Sequence, residues 1–523
     1  ADAKSPTLSP SPSLNAGAAT GSAAAPKAAP ATAAAAAARV RTQEPGVTAS
    51  LWEWNWRSIR RECPRLARSG YDGVQVAPPQ NSVKRTALGN GSNAVLHPWW
   101  EVYQPVTYDL TSRMGNERQF RRMVRACRSA GVKVYVDAVI NHMTGQGSTS
   151  YGRQDYKPYD YPDVPYVRDD FHVPNGECSS SDGGIQDFNN KNQVFKCNLV
   201  GLEDLDTDKR DVQAELAGYL NKLIRYGVSG FRVDAAKHIG QDDLDAIYSR
   251  LNKTRDGVKP YWTLEVFQGG PGILAPHAFT RSGDVLGLPA AEQIRSAFES
   301  YTAEQVGSLA TLEVFGTDSG LTASKKTMSF VTNHDTDRNG PYLSYKDGAR
   351  YKLANKWLLA EGYGSPQVYS SFTWGPLANP PANATDDDKA GKTQSPPSRA
   401  NGLVRNTNCS NGQWTCDHRD RGIVAMIGWH QYVGSAKRAN FYTDDFNVIA
   451  FSKGNRGWAA FNNGPTAKPI TVQTGLPGGT YCDVVNDTPA RGCSTPVTVR
   501  ATGFATVTVP AYEAVAFDRT DRV

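Results

Sequence analysis

The strongest constraint on this chain is a repeated alternation of short β-branched runs with amphipathic helical stretches. Gly73-Val74-Gln75-Val76 follows a helical pattern over 56–68, and Lys133-Val134-Tyr135-Val136-Asp137 follows one over 116–129. Gly230-Phe231-Arg232-Val233-Asp234 follows 208–226, Tyr261-Trp262-Thr263-Leu264-Glu265 follows 241–253, and Gln367-Val368-Tyr369 follows 348–361. Met328-Ser329-Phe330-Val331 leads into Asn333-His334-Asp335. Alternation of this kind predicts a parallel sheet, and so many units predict an α/β fold with a closed (β/α)8 barrel. The C-terminal strand ends of such a barrel form its functional rim. Asp137, Asp234, Glu265 and Asp335 are therefore expected to converge there.

Two regions break the alternation. Residues 143–200 are rich in Gly, Tyr, Asp, Pro and Ser and predict a loop-rich subdomain inserted after the third strand. Residues 436–523 change to period-two strands with Gly and Pro turns, which predicts a C-terminal all-β, Greek-key-like sandwich. The barrel is thus expected over 46–142 and 201–435. Residues 1–45, rich in Ala, Pro, Ser and Thr, read as a disordered arm or a leader remnant.

Charge and cysteine content narrow the function classes. The formal net charge is +6 over 523 residues, and Lys and Arg look interleaved with Asp and Glu. No nucleic-acid partner is expected from that pattern. No apolar run reaches the roughly 20 residues that span a bilayer, so no membrane span is expected. The eight cysteines form no CxxC pair, and Cys409/Cys416 and Cys482/Cys493 sit close in sequence around turns. Disulfides and a secreted, extracellular protein follow.

Two carboxyls flanking one bond are the requirement of glycoside hydrolysis, about 5–5.5 Å apart in the retaining mechanism. Asp234 is the candidate nucleophile. Arg232, two residues earlier on the same strand face, is expected to lower its pKa. Glu265 sits among Trp262, Leu264, Val266 and Phe267, a setting that keeps a carboxyl protonated for acid catalysis. Each of these residues alone is more often a helix cap or an ion-pair partner; the argument rests on their meeting at one rim.

Four ordered motifs carry a resemblance to a known family. They are Asp137-Ala138-Val139-Ile140-Asn141-His142, Gly230-Phe231-Arg232-Val233-Asp234-Ala235-Ala236-Lys237-His238, Leu264-Glu265-Val266-Phe267 and Phe330-Val331-Thr332-Asn333-His334-Asp335. With Pro98-Trp99-Trp100-Glu101-Val102-Tyr103-Gln104-Pro105-Val106, they resemble the α-amylase family of glycoside hydrolases, nearest its animal-type subgroup, over about residues 46–518. The resemblance implies an endo-acting, retaining hydrolase of α-1,4-glucans, working as a monomer. Asp234 would be the nucleophile, Glu265 the acid/base and Asp335 the transition-state stabiliser. Arg232 would orient the nucleophile, and His142 and His334 would hold the sugar. Tyr103 would stack beneath it, with Gln104 also on the substrate side. Trp99 and Trp100 would line the glycone side, Lys237 and His238 the aglycone side.

The same resemblance implies a calcium ion on the side chains of Asn141 and Asp204 and the main-chain oxygens of Phe195 and His238. It also implies the disulfides Cys63–Cys127, Cys178–Cys197, Cys409–Cys416 and Cys482–Cys493. The chain departs from the animal-type pattern in two places. Gln367 stands where a chloride-binding Arg is expected beside Arg232 and Asn333, so chloride is expected to be absent or weakly held. The Gly-rich loop expected after Asp335 is missing. A transglycosylase on the same fold, and a barrel that binds without catalysis, are the competing readings.

Overall fold

The computed structural model describes residues 44–87, 94–147, 149–299, 307–487 and 492–523. The expected N-terminal arm lies outside the described residues, save its last two positions. Eight parallel strands close a barrel: β1 (Thr48–Leu51), β2 (Gly73–Val76), β3 (Lys133–Ala138), β4 (Gly230–Val233), β5 (Tyr261–Leu264), β6 (Asp284–Leu286), β7 (Thr327–Phe330) and β8 (Ser365–Ser370). Each pairs with its sequence neighbour, and β8 closes on β1 through Thr48 opposite Gln367. The alternation did not disclose β1 or β6. One reads Thr-Ala-Ser-Leu, poor in β-branched residues, and the other is three residues long.

Helices cover the outside of the barrel, among them Trp56–Arg68, Glu117–Ser129, Arg210–Tyr226, Gln241–Ser249, Leu288–Phe298, Ala349–Glu361 and Arg421–Val433. Local caps place several of them. Asn55 accepts from the Ser58 N–H at 2.9 Å, and Asn116 and Gln119 form a reciprocal capping box. The helix expected over 241–253 stops at Ser249, and the chain turns back through Thr254 and Gly257.

The inserted region is tied to the barrel by a short antiparallel pairing of His142–Met143 with Glu203–Asp204. The C-terminal region forms two four-stranded antiparallel sheets. Val448, Ala450, Trp458, Ala460, Val515 and Phe517 face the core between the sheets. The alternate residues Ile449, Phe451, Ala459, Phe461, Ala514 and Ala516 join the core shared with the barrel. That double burial explains the unbroken apolar runs in these strands. Trp429 Nε1 donates to Phe517 O at 3.1 Å across this junction. All four disulfides implied by the resemblance are formed.

The even spread of charge expected from the sequence does not hold on one wall. Arg57, Arg60, Arg61, Arg65 and Arg68 on helix Trp56–Arg68 are exposed, as are Arg118, Arg121, Arg122 and Arg125 on helix Glu117–Ser129. A helical repeat of three to four residues brings separated arginines onto one face, which a linear reading of the charges hides. Arg60, Arg61, Arg122 and Arg125 line a groove of about 520 Å³ between the two helices.

Candidate active site

The barrel brings all four strand-end carboxyls to one guanidinium. Arg232 points inward from β4, in register with Asp137 on β3. Its Nη1 donates to Asp137 Oδ1 at 2.7 Å and to Asp234 Oδ1 at 2.6 Å. Its Nη2 donates to Glu265 Oε1 and lies 3.7 Å from Asp335 Oδ2. Glu265 is held at its second oxygen by the Ala235 N–H at 2.7 Å. Ala235 reaches that position in the left-handed region, at φ 47°, a conformation that costs a residue with a Cβ and recurs at functional sites.

Charge balance decides the protonation of this cluster. One cation cannot offset four buried carboxylates, so the site retains protons. Burial pushes Glu265 up to about 7, with Arg232 opposing and Asp234 adding. Burial likewise raises Asp137 to about 7 and Asp335 to about 8. Asp234 is also raised by burial, while Arg232 draws it back through charge and hydrogen bonding. The expected net lowering of Asp234 by Arg232 is therefore corrected: desolvation outweighs the single shared cation. The side chain of Asp335 is the most open of the four, at 24% exposure against 12% for Asp234 and 9% for Glu265.

The other residues singled out in the sequence take distinct places. Tyr103 donates to Asp137 Oδ2 at 2.8 Å, and its ring stacks on His334 at 5.1 Å. His334 Nε2 lies 3.3 Å from Asp335 Oδ2. Trp99 packs edge-on against Tyr103 and His334, and both Trp99 and Trp100 are half-buried. Gln104 accepts from Thr144 Oγ1 at 2.7 Å. Lys237 Nζ donates to Phe267 O and Gly269 O, both at 3.1 Å, beyond Glu265. His142 sits behind the rim, with Nε2 on Tyr103 O at 2.9 Å and Nδ1 on Asn141 Nδ2 at 3.3 Å. Both of its ring nitrogens are engaged by protein groups.

Asn141 and Asp204 meet at 3.1 Å, both buried, beside the pairing that ties the insert to the barrel. His238 Nδ1 contacts Val194 O at 2.9 Å, which brings the backbone next to Phe195 against His238. His172 bridges Asp204 at 2.7 Å and Asp206 at 3.3 Å. A buried carboxylate, an amide oxygen and nearby carbonyls are the hard oxygen donors that calcium takes.

The sequence reading passed over Trp52 and Arg338. Trp52 Nε1 donates to Tyr103 Oη at 3.0 Å, and the Arg338 guanidinium lies 4.6 Å from its ring. Neither falls within the four motifs, and only the barrel closure brings β1 beside them.

Known proteins are similar to this chain over most of its length. The description "Alpha amylase, catalytic domain" matches residues 103–259, and "Alpha amylase, C-terminal all-beta domain" matches 439–520. An α-amylase of Thermomonospora curvata is 42% identical over 480 residues, covering 90% of this chain and 73% of the relative. The chain belongs to the α-amylase family. Pancreatic α-amylase of Sus scrofa is 36% identical over 459 residues, covering 83% of this chain and 86% of that protein. The crystal structure of α-amylase I from Eisenia fetida superposes with a TM-score of 0.82 at 36% identity, covering 92% of this chain and 98% of that one. A variant of that enzyme was solved with maltohexaose. The α-amylase family accounts for the closed barrel and the C-terminal β domain together, and the chain is a glycoside hydrolase of starch.

Proposed function

We propose that Asp234, Glu265 and Asp335 hydrolyse internal α-1,4 bonds of starch, glycogen and maltooligosaccharides with retention. The observation that carries the reading is the sharing of one guanidinium by Asp234 and Glu265, each on its own nitrogen. Carboxyls bridged by a single Arg232 side chain suit the short separation of the retaining mechanism. Asp234 attacks the anomeric carbon while protonated Glu265 delivers its proton to the leaving oxygen. A glycosyl–Asp234 ester results. Glu265, now ionised, takes a proton from water, which hydrolyses the ester and restores both groups. Asp335 and His334 hold the sugar hydroxyls as positive charge grows on the ring. Trp99, Trp100, Tyr103 and Gln104 line the glycone side and Lys237 and His238 the aglycone side; His142, expected to hold the sugar with His334, instead supports Tyr103 from behind, because both its ring nitrogens are engaged by protein groups.

Asn141 and Asp204, with the carbonyls of Phe195 and His238, would hold calcium and so fasten the insert to the rim. Bound there, the ion supplies structure to the cleft wall. Gln367 donates to Gln75 at 3.1 Å and Thr48 at 3.3 Å, and Arg232 spends its donors on carboxylates. Both observations favour activity without chloride. The four disulfides suit an extracellular, secreted monomer, and among the described residues no helix is long and apolar enough to cross a membrane.

The test is a digest of soluble starch by native protein and by Glu265→Gln, with chromatography of the products. Linear maltooligosaccharides and a loss of several orders of magnitude in the variant are expected. Cyclic or branched products would favour the transglycosylase, and near-native activity in the variant would overturn the mechanism.

A further inference from the structure

Trp52 follows β1 directly, its backbone N–H donating to Ser370 O of β8 at 3.2 Å. It is 2% exposed, so its ring offers no face to a sugar. Five buried tryptophans, Trp54, Trp56, Trp262, Trp357 and Trp458, have N–H groups with no hydrogen-bond partner, and that of Trp429 goes to a backbone carbonyl. The Trp52 N–H has a side-chain partner, Tyr103 Oη. An indole N–H can only donate. The Tyr103 hydroxyl must therefore accept from Trp52, and its own proton is left for Asp137 Oδ2 at 2.8 Å. Asp137 Oδ1 in turn accepts from the same Arg232 nitrogen that holds Asp234.

The ring of Trp52 packs against His334, the same residue on which the Tyr103 ring stacks. The indole stacks on His334 with centroids 5.0 Å apart and planes 16° apart, and on Phe372 at 5.5 Å and 14°. Arg338 covers the same indole at 4.6 Å and donates to His334 O at 3.2 Å and Asp337 Oδ2 at 3.1 Å. Its Nε and Nη2 have no hydrogen-bond partner, so ring faces hold that side of the guanidinium.

We infer that Trp52 is a positioning residue: its N–H fixes the Tyr103 hydroxyl toward Asp137, and its ring fixes the loop that carries His334 and Asp335. One indole thereby braces both Tyr103 and His334 beside the Arg232 cluster. The inference rests on the hydrolytic reading above and extends it to a residue that touches neither substrate nor the reacting carboxyls.

Trp52→Phe keeps a ring and removes the donor. With maltooligosaccharides, kcat is expected to fall about 10- to 100-fold, KM to stay within about twofold, and Tm to fall by a few degrees because the smaller ring leaves space in the core. Freed Tyr103 donates less well to Asp137, which is otherwise faced by Arg232, Asp234 and, farther off, Glu53. Asp137 then holds its proton more tightly and presents less negative charge to the cluster. Glu265 ionises earlier, and the alkaline limb of kcat/KM moves to lower pH. A double-mutant cycle with Tyr103→Phe separates this from mere packing. If Trp52 acts through that hydroxyl, the double variant is no slower than Tyr103→Phe alone. Independent, multiplying losses would overturn the inference, as would Trp52→Phe with kcat within twofold and an unmoved limb. Should Trp52→Phe fail to fold, benzothienylalanine at position 52 supplies the same shape without the N–H and is read by the same criteria. Failure of the hydrolytic reading is distinguishable, because the native protein would then leave the oligosaccharides intact or turn them into cyclic or branched products.

Discussion

Two groups of arginines in this molecule carry the same charge and do opposite things with it. At the rim, Arg232 is 2% exposed and serves Asp137, Asp234, Glu265 and Asp335 together. On the outer wall, nine arginines of two neighbouring helices are exposed, four of them lining one groove, with few acids near them. Of those acids, Glu62 is engaged by Arg419 and His418 as well as Arg65, and Glu117 pairs with Lys222 at 3.1 Å. The contrast is one of dielectric. Water and salt screen the wall over about 8–10 Å, whereas the rim interacts across protein at several times the strength. Crowding of like charge becomes chemistry only where it is buried, because there it moves protons.

The sharpest attempt to break this comparison is Arg232→Gln. Removal of the one cation should abolish measurable starch hydrolysis, a loss of at least about 10³-fold, or ~4 kcal/mol of barrier. It should also cost about 3–5 kcal/mol of stability, as buried ionic networks do when one partner goes, seen as a lower urea midpoint. A native-like midpoint would mean the four carboxyls do not need it. The proposed calcium site gives the next largest effect. Chelation should lower Tm in proportion to about 2.7 kcal/mol for a site held at 100 times its Kd, and Asp204→Asn should remove the response to added calcium.

The third effect is on pH. In the proposed mechanism Glu265 acts when protonated and burial pushes it up to about 7, so kcat/KM should fall as pH rises through about 7. Asp234 must be ionised, and burial raises it, so the acid limb should lie above the ordinary carboxylate range. A profile flat from pH 5 to 9 would contradict both assignments. On the wall, a combined Arg60→Gln, Arg61→Gln, Arg122→Gln and Arg125→Gln variant should keep kcat within about twofold. It should gain a few tenths of a kcal/mol at low ionic strength, the scale of like-charge neighbours on helices. The smallest expected effect is that of chloride: rates in halide-free buffer should match those at 100 mM chloride within about twofold.

Much of the rim was legible because Asp137, Asp234 and Glu265 stand at the ends of short apolar strands that follow helical stretches, and Asp335 follows Thr327–Phe330 by a short loop. The disulfides and the C-terminal sandwich were legible through the resemblance and through period-two patterning. What escaped had physical causes. β1 is a four-residue Thr-Ala-Ser-Leu run of mostly small side chains and β6 has only three residues, too little pattern to recognise. Trp52 lies 51 residues from Tyr103, and its partnership exists only because the barrel closes. The rise of Asp234 escaped because Arg232 was counted as belonging to one carboxylate when it is shared. The arginine wall escaped because charge was judged along the chain and not around each helix.

Beneath that wall, Cys63 on one arginine-bearing helix is joined to Cys127 on the other, both fully buried. The bond is a rivet under two plates that repel each other. In dilute buffer the plates push hardest and the rivet is most needed; in concentrated salt the push fades and much of its service goes with it. A reducing agent should therefore harm this protein more in fresh water than in brine.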